Sequence, residues 1–346
     1  MIVVIQNQLP HYRRAFFNKL CDIGKVLVIH SGKPVLTEAD RFSEVIVPQC
    51  KAGPFNLQLG LSDVIREFGP STVIASFDIR NMMSFVLKAQ LSSRVKWVWW
   101  GLDRGASETA LWIKILLARG RNPIVFYNST VRDLFAARGL PPDKLFVANN
   151  TFHVENHRSF HEHKPKDIFI NVGTLDPRKQ NDVLIQTFKT VLERTGRDLS
   201  LYLIGEGRDR DMLASLIVEL SLSGRVFLTG KIEDPAVLEG YYARALASVS
   251  FGQAGLAVLQ SMAFGVPFVT KRSAISGGEK HNIISDYNGI FCDDDPRSLE
   301  QAMIRLAENE ETARKMGANA YTYYRDRASV DGMVEGFRAA LAYGAN

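Results

Sequence analysis

Short apolar runs alternate with amphipathic stretches along nearly the whole chain. Apolar runs bounded by turn formers read as buried strands, and apolar positions three to four residues apart read as helices packed on one face. The first half predicts strands at Ile2–Ile5, Lys25–His30, Glu44–Val47, Thr72–Ala75, Lys96–Trp99, Ile124–Tyr127 and Lys144–Val147. Helices are expected at Tyr12–Cys21, Leu57–Glu67, Met82–Gln90 and Glu108–Ala118. After a polar stretch, His153–Lys166, the rhythm restarts. Strands follow at Asp167–Val172, Ser200–Ile204, Arg225–Leu228, Ala247–Phe251, Pro267–Thr270 and Gly289–Cys292. Helices are expected at Asp182–Thr195, Arg208–Leu220, Pro235–Ala245, Ala257–Phe264, Ser298–Asn309 and Glu311–Arg325.

Strands and helices in this alternation build parallel sheets covered on both faces. The polar stretch reads as a linker. The fold class is therefore α/β, with two doubly wound domains, residues 1–160 and 161–325, facing one another across a cleft. Residues 326–346 predict a helix that crosses back over the first domain. Ligands in such sheets bind where strands end and helices begin.

A length of 346 residues suits two domains of ~150 residues each. With 46% hydrophobic and 23% charged residues, a disordered, collagen-like or coiled-coil chain is excluded. The formal charge of +5 is small and dispersed, so it argues for anionic small molecules or an anionic membrane surface and not for nucleic acid. Three scattered cysteines (Cys21, Cys50, Cys292) predict neither a disulfide framework nor a metal cluster, and place the chain inside the cell. The start, MIVVIQNQLPHYRR, reverses the charge order of a signal peptide, and no run reaches ~18 apolar residues. A soluble or membrane-peripheral cytoplasmic protein is expected.

Candidate chemistry sits at strand ends. Gly173-Thr174-Leu175-Asp176-Pro177-Arg178-Lys179 follows a strand and precedes a helix, an arrangement that brings backbone N–H groups and cations to a phosphate. A surface turn with solvated charges is the plain alternative. Ile204-Gly205-Glu206-Gly207 and Thr229-Gly230-Lys231-Ile232 repeat the strand–glycine–helix pattern. Ser250-Phe251-Gly252-Gln253-Ala254-Gly255-Leu256 leads into a helix carrying Gln260, closed by Gly265-Val266-Pro267. Small residues there admit a ligand close to the backbone, or serve tight helix–sheet packing.

In this order the pieces resemble the donor domain of family-4 retaining glycosyltransferases of the GT-B fold. The matching segments are Gly173–Lys179, Ile204–Gly207, Val226–Gly230, Gly255–Pro267 and Gly277–Gly289, spread over about residues 165–310. The resemblance implies sugar transfer from a nucleotide-diphosphate donor with retention and no cofactor or metal, with UDP-sugars favoured over GDP-sugars. It places Gly173, Thr174, Arg178 and Lys179 at the diphosphate, with Gly205, Gln253, Ala254, Gly255, Leu256 and Glu279 around the donor. Lys231 and Ile232 fall at the base and Gln260 at the ribose. The family's paired glutamates fall on Gly252 and Gln260, and its histidine after the fifth strand falls on Leu102. Asp103 and Arg104 then become the catalytic candidates.

The first loop offers His11, Arg13 and Arg14 for acceptor phosphates, or simply an exposed basic turn. Glu108–Arg121 combines an apolar stripe (Leu111, Trp112, Ile115, Leu116) with Lys114, Arg119 and Arg121, which suits a helix on anionic lipid or a half-buried core helix. The expected function is extension of a cell-surface glycan, with a glycan or lipid-linked acceptor, at the inner face of the plasma membrane. An epimerase acting on a UDP-sugar and a non-catalytic partner subunit of the same fold are the alternatives.

Overall fold

The structure, a computed structural model, describes residues 1–91, 95–101, 107–154 and 164–344. The chain divides into two compact units, Met1–Thr151 with Ala328–Asn346, and Phe152–Arg327.

The first unit runs β1 (Ile2–Ile5), α1 (Arg14–Leu20), β2 (Val26–His30), β3 (Ser43–Ile46), β4 (Gln49–Ala52), β5 (Phe55–Gln58), α2 (Leu61–Phe68), β6 (Thr72–Ser76), α3 (Met82–Gln90), β7 (Lys96–Trp100), α4 (Glu108–Ala118), β8 (Ile124–Phe126), α5 (Ser129–Ala137) and β9 (Leu145–Val147). Its main sheet has the order β3-β2-β1-β6-β7-β8-β9, every neighbouring pair parallel. Successive side chains of a strand point to opposite faces, and both faces are covered. Val3, Ile5, Val73 and Trp99 pack against Leu61 and Ile65 of α2, Leu87 of α3 and Leu111 and Ile115 of α4. Ile2, Val4, Ile74 and Trp100 pack the other way, against Phe16 and Phe17 of α1.

The hairpin β4–β5 departs from the sequence expectation, which begins a helix at Leu57. Gly53 at φ 59° turns the hairpin and Gly60 at φ 74° ends it, so α2 starts only at Leu61.

The second unit runs β10 (Ile168–Val172), α6 (Asn181–Thr195), β11 (Ser200–Ile204), α7 (Arg210–Glu219), β12 (Val226–Gly230), α8 (Pro235–Arg244), β13 (Ala245–Val249), α9 (Ala257–Ala263), β14 (Phe268–Lys271), β15 (Gly289–Cys292), α10 (Pro296–Glu308) and α11 (Glu310–Tyr323). Its sheet order is β12-β11-β10-β13-β14-β15, again parallel. Helix starts follow local chemistry: Asp234 and Asp295 cap α8 and α10, each with proline at the first helical position. A last helix, α12 (Val330–Ala342), belongs to the first unit. Its Met333, Val334, Phe337 and Ala340 recur at helical spacing and bury against Phe16 and Trp100.

Each sheet reverses its strand order once, between β1 and β6 and between β10 and β13. Such switch points open a crevice at the carboxyl ends of the two strands.

Candidate functional site

At the switch point of the second unit, loops meet backbone to backbone. Gly173 leaves β10 at φ 145° and its N–H donates to Ile204 O at 2.9 Å. A Cβ on Gly205 would lie 1.9 Å from Gly173 O, and one on Gly207 2.1 Å from Leu175 O. Gly252 closes the ring of contacts: its N–H donates to Lys179 O at 3.0 Å, and a Cβ there would lie 2.2 Å from Arg178 O. A side chain at position 252 is therefore sterically excluded, which is the physical content of the missing glutamate.

This packing fixes Lys179 at the end of a single turn, Pro177–Lys179, begun by the Asp176 side chain accepting from Arg178 N. Lys179 is 6% exposed, and its ammonium lies against the Gly173 turn, 3.3 Å from where a Cβ would stand. Burial, then the nearby charge of Arg178, pushes its pKa below the usual lysine range, while Asp176 and Glu279 pull the other way. Among the described residues the Lys179 ammonium has no hydrogen bond or ion pair. Arg178, in contrast, is exposed and its Nε bonds Asp176 Oδ1 at 3.0 Å.

Gln260 and Glu279 are both buried. The Gln260 amide has no hydrogen-bond partner among the described residues. The Glu279 carboxylate accepts from Ser276 Oγ at 3.2 Å and folds over Gly277. Loop 250–256 is braced by Ser250 Oγ donating to Gln253 O and by Ala254 N donating to Ile275 O. Leu256 begins α9 without a side-chain cap, and the helix has seven residues, fewer than two turns, so its dipole is weak. Thr174 is exposed, and the exposed Lys231 is ion-paired with Glu233 beside the half-buried Ile232.

In the first unit the loop cations are occupied. The Arg13 guanidinium lies 4.5 Å over the Trp100 ring, donates to Gln6 Oε1, and donates to Tyr127 OH at 2.8 Å. Arg14 pairs with the buried carboxylate of Asp40 at 2.7 Å. His11 is exposed. Beside them lies a group of amides not foreseen from sequence. Asn7 Nδ2 and Asn56 Nδ2 both donate to Asn81 Oδ1, at 2.9 and 3.4 Å, and Gln58 Nε2 donates to Gln6 O at 2.9 Å. Asp103, Arg104 and Leu102 lie outside the described residues.

Helix α4 differs from its predicted amphipathic form. Leu111 and Ile115 are core residues and Lys114 is buried, while Trp112 (54%), Ile113, Leu116 (63%) and Leu117 are exposed. The helix is apolar on both faces. No helix among the described residues is long and apolar enough to cross a membrane, and none of their His, Cys, Asp or Glu side chains form a group of three that could hold a metal ion.

Comparison with solved structures gives the fold. The chain superposes on a glycosyltransferase from Rickettsia africae with a TM-score of 0.74 at 14% identity, covering 99% of each chain. It matches Anabaena HepE, solved in complex with UDP, with a TM-score of 0.73 at 15% identity, again over 99% of each. The fold is GT-B, two Rossmann-like units. Residues 153–323 match the model for glycosyl transferases group 1. Two characterised relatives are each 28% identical. One is the N-acetyl-alpha-D-glucosaminyl L-malate synthase of Bacillus anthracis, over 44% of this chain and 39% of that one. The other, from Campylobacter jejuni, is an N-acetylgalactosaminyltransferase whose name gives a diphospho-undecaprenol-linked substrate, over 62% of this chain and 58% of that one. The chain thus spans less than two thirds of the length of either relative.

Proposed function

We propose that the protein transfers a sugar from a nucleotide-diphosphate donor, a UDP-sugar before a GDP-sugar, to a glycan or lipid-linked acceptor in cell-surface polysaccharide synthesis. The observation that carries this reading is Lys179, a buried ammonium without a partner among the described residues, at a glycine turn on the switch point of the second unit. Burying a charge is costly unless something pairs with it, and a diphosphate supplies the missing oxygens. As the leaving group departs, the same ammonium stabilises the charge that develops on it, and the mechanism needs no resident metal. Gln260 offers its idle amide to ribose hydroxyls. Retention would follow from attack on the donor's front face, with no protein nucleophile.

The test is melting temperature against UDP, GDP, ADP, CMP and their sugar conjugates. A ligand at ~100 times its Kd adds ~2.7 kcal/mol of stability, so one nucleotide should stand out, and Lys179→Ala should remove most of that shift. A second reading, a non-catalytic partner subunit, draws on Gly252, where no carboxylate fits. It predicts a flat panel.

The exposed Trp112, Ile113, Leu116 and Leu117, near Arg119 and Arg121, suit attachment to an anionic lipid surface beside a lipid-linked acceptor. Flotation with vesicles containing phosphatidylglycerol should carry the protein up, and Trp112→Ser with Leu116→Ser should leave it at the bottom. Equal recovery of both proteins would discard the membrane claim.

A further inference from the structure

We infer that the switch point of the first unit is a seat for an uncharged sugar, read by the side-chain amides of Asn7, Asn56 and Asn81. The inference rests on the glycosyltransferase reading and names the chemistry of its acceptor side.

Three segments far apart in sequence converge there. Asn7 follows β1, Asn81 follows β6, and the hairpin delivers Asn56, whose N–H donates to Arg80 O at 2.7 Å. Asn81 is 6% exposed and its Oδ1 accepts from both other amides. Its own Nδ2 has no acceptor among the described residues, and Asn7 Oδ1 is buried without a donor. Among the described residues the three amides therefore leave one donor and one acceptor unused. Turning an amide over exchanges its two atoms and leaves the set mixed.

A phosphate or carboxylate only accepts hydrogen bonds and an ammonium only donates. A hydroxyl does both, so adjacent sugar hydroxyls are the complementary ligand. Among the described cations nearby, Arg14 is ion-paired with Asp40 and Arg80 with Asp78 at 2.6 Å, while Arg13 commits its two terminal nitrogens to the neutral Gln6 and Tyr127 beside the Trp100 ring and keeps its remaining Nε buried away from a ligand.

Saturation-transfer NMR on the full chain with UDP present tests this, using methyl glycosides of glucose, galactose and N-acetylglucosamine and, as the charged probe, glucose 1-phosphate. One methyl glycoside should bind, and glucose 1-phosphate should bind no more tightly. Asn81→Asp should weaken glycoside binding about tenfold or more, and Asn56→Ala, on the hairpin, about threefold, since each loses hydrogen bonds to the ligand. UDP-induced stabilisation should stay unchanged in both. Tighter binding of the phosphate, no glycoside binding in the parent protein, or unchanged binding in both variants would overturn the seat. Loss of the UDP response in the parent protein, with glycoside binding intact, would overturn the donor reading alone.

Discussion

The two units solve the same topological problem with opposite chemistry. Each reverses its strand order once and opens a crevice there. In the second unit the crevice is walled by glycine backbone and holds an idle cation, Lys179. In the first, Arg14 is paired with the Asp40 carboxylate, the terminal nitrogens of Arg13 are taken up by the neutral Gln6 and Tyr127 beside Trp100, and amides line the crevice. The difference teaches that charge in a crevice matters only when it is unspent. Counting basic residues near strand ends makes the two look alike; following their partners separates an anion site from a neutral one.

The largest effect should come from filling the glycine ring. Gly205→Ala sets a Cβ 1.9 Å from Gly173 O at φ 151°, combining overpacking with a conformation that L side chains rarely adopt. A loss of roughly 3–5 kcal/mol is expected, read by denaturant unfolding, together with loss of the nucleotide response, because the Gly173 turn that seats Lys179 must move. A fully stable Gly205→Ala would show that the loops are not in hard contact. Lys179→Ala comes next. Truncating a buried charge that pairs with the ligand should weaken nucleotide binding by about 2–3 kcal/mol, ~30–150-fold, while the fold persists. Isothermal titration with UDP should show weakened binding in both variants, and denaturant unfolding separates them, since only the first should also unfold early.

Lys166 is the control for burial by itself. It stands just before β10, at the strand end remote from the crevice, buried beside Arg314 and Glu310, and burial pushes its pKa down to about 8. The unfolded lysine stays protonated up to its ordinary 10.5, so between about pH 8 and 10.5 the unfolded state binds more protons. Stability should therefore rise with pH across that window, and the cost of the buried charge is greatest below it. Lys166→Met should stabilise the protein at pH 7 by on the order of 2 kcal/mol, flatten that rise, and leave UDP binding intact. A loss of UDP binding would mean that any buried lysine in this sheet affects the site, and the assignment to Lys179 would lose its footing.

How much of this could be read from the chain follows from how local each feature is. Gly173, Lys179, Gly205 and Gly252 stand on strand–turn–helix segments, so their residue types announce the turn and the order of segments announces the family. What they touch is not local: Gly252 against Arg178 is a contact between loops that only the β10–β13 pairing makes. The first unit shows the same limit more sharply. Arg13 and Arg14 read as a free basic pair, but one partner lies 114 residues away at Tyr127 and the other 26 away at Asp40. Asn56 rests on a hairpin whose second strand, Phe55–Gln58, is short and carries Leu57 where a helical stripe could begin. Helix α4 hides its packing face for a related reason. Apolar side chains all round conceal which face the sheet takes.

The smallest effect tests whether Arg14 is spent. The Asp40 carboxylate resists its burial by accepting from Arg14, the Thr37 N–H and hydroxyl, and Asn18, which together hold its pKa below the ordinary carboxylate value. Such a group adds stability that is fully present above its unfolded pKa and disappears as pH falls through the lower folded one. Asp40→Asn should therefore cost about 1 kcal/mol at pH 7, and the two proteins should converge in acid as pH falls through the lowered carboxylate pKa of the parent. The released Arg14 then carries an unpaired charge. If the first crevice is neutral only because its cations are engaged, glucose 1-phosphate should gain about threefold in affinity in Asp40→Asn while the methyl glycoside stays unchanged. No gain for the phosphate would place Arg14 too far from the crevice to influence it, and the preference for a neutral ligand would then rest on the Arg80–Asp78 pair and on the committed terminal nitrogens of Arg13.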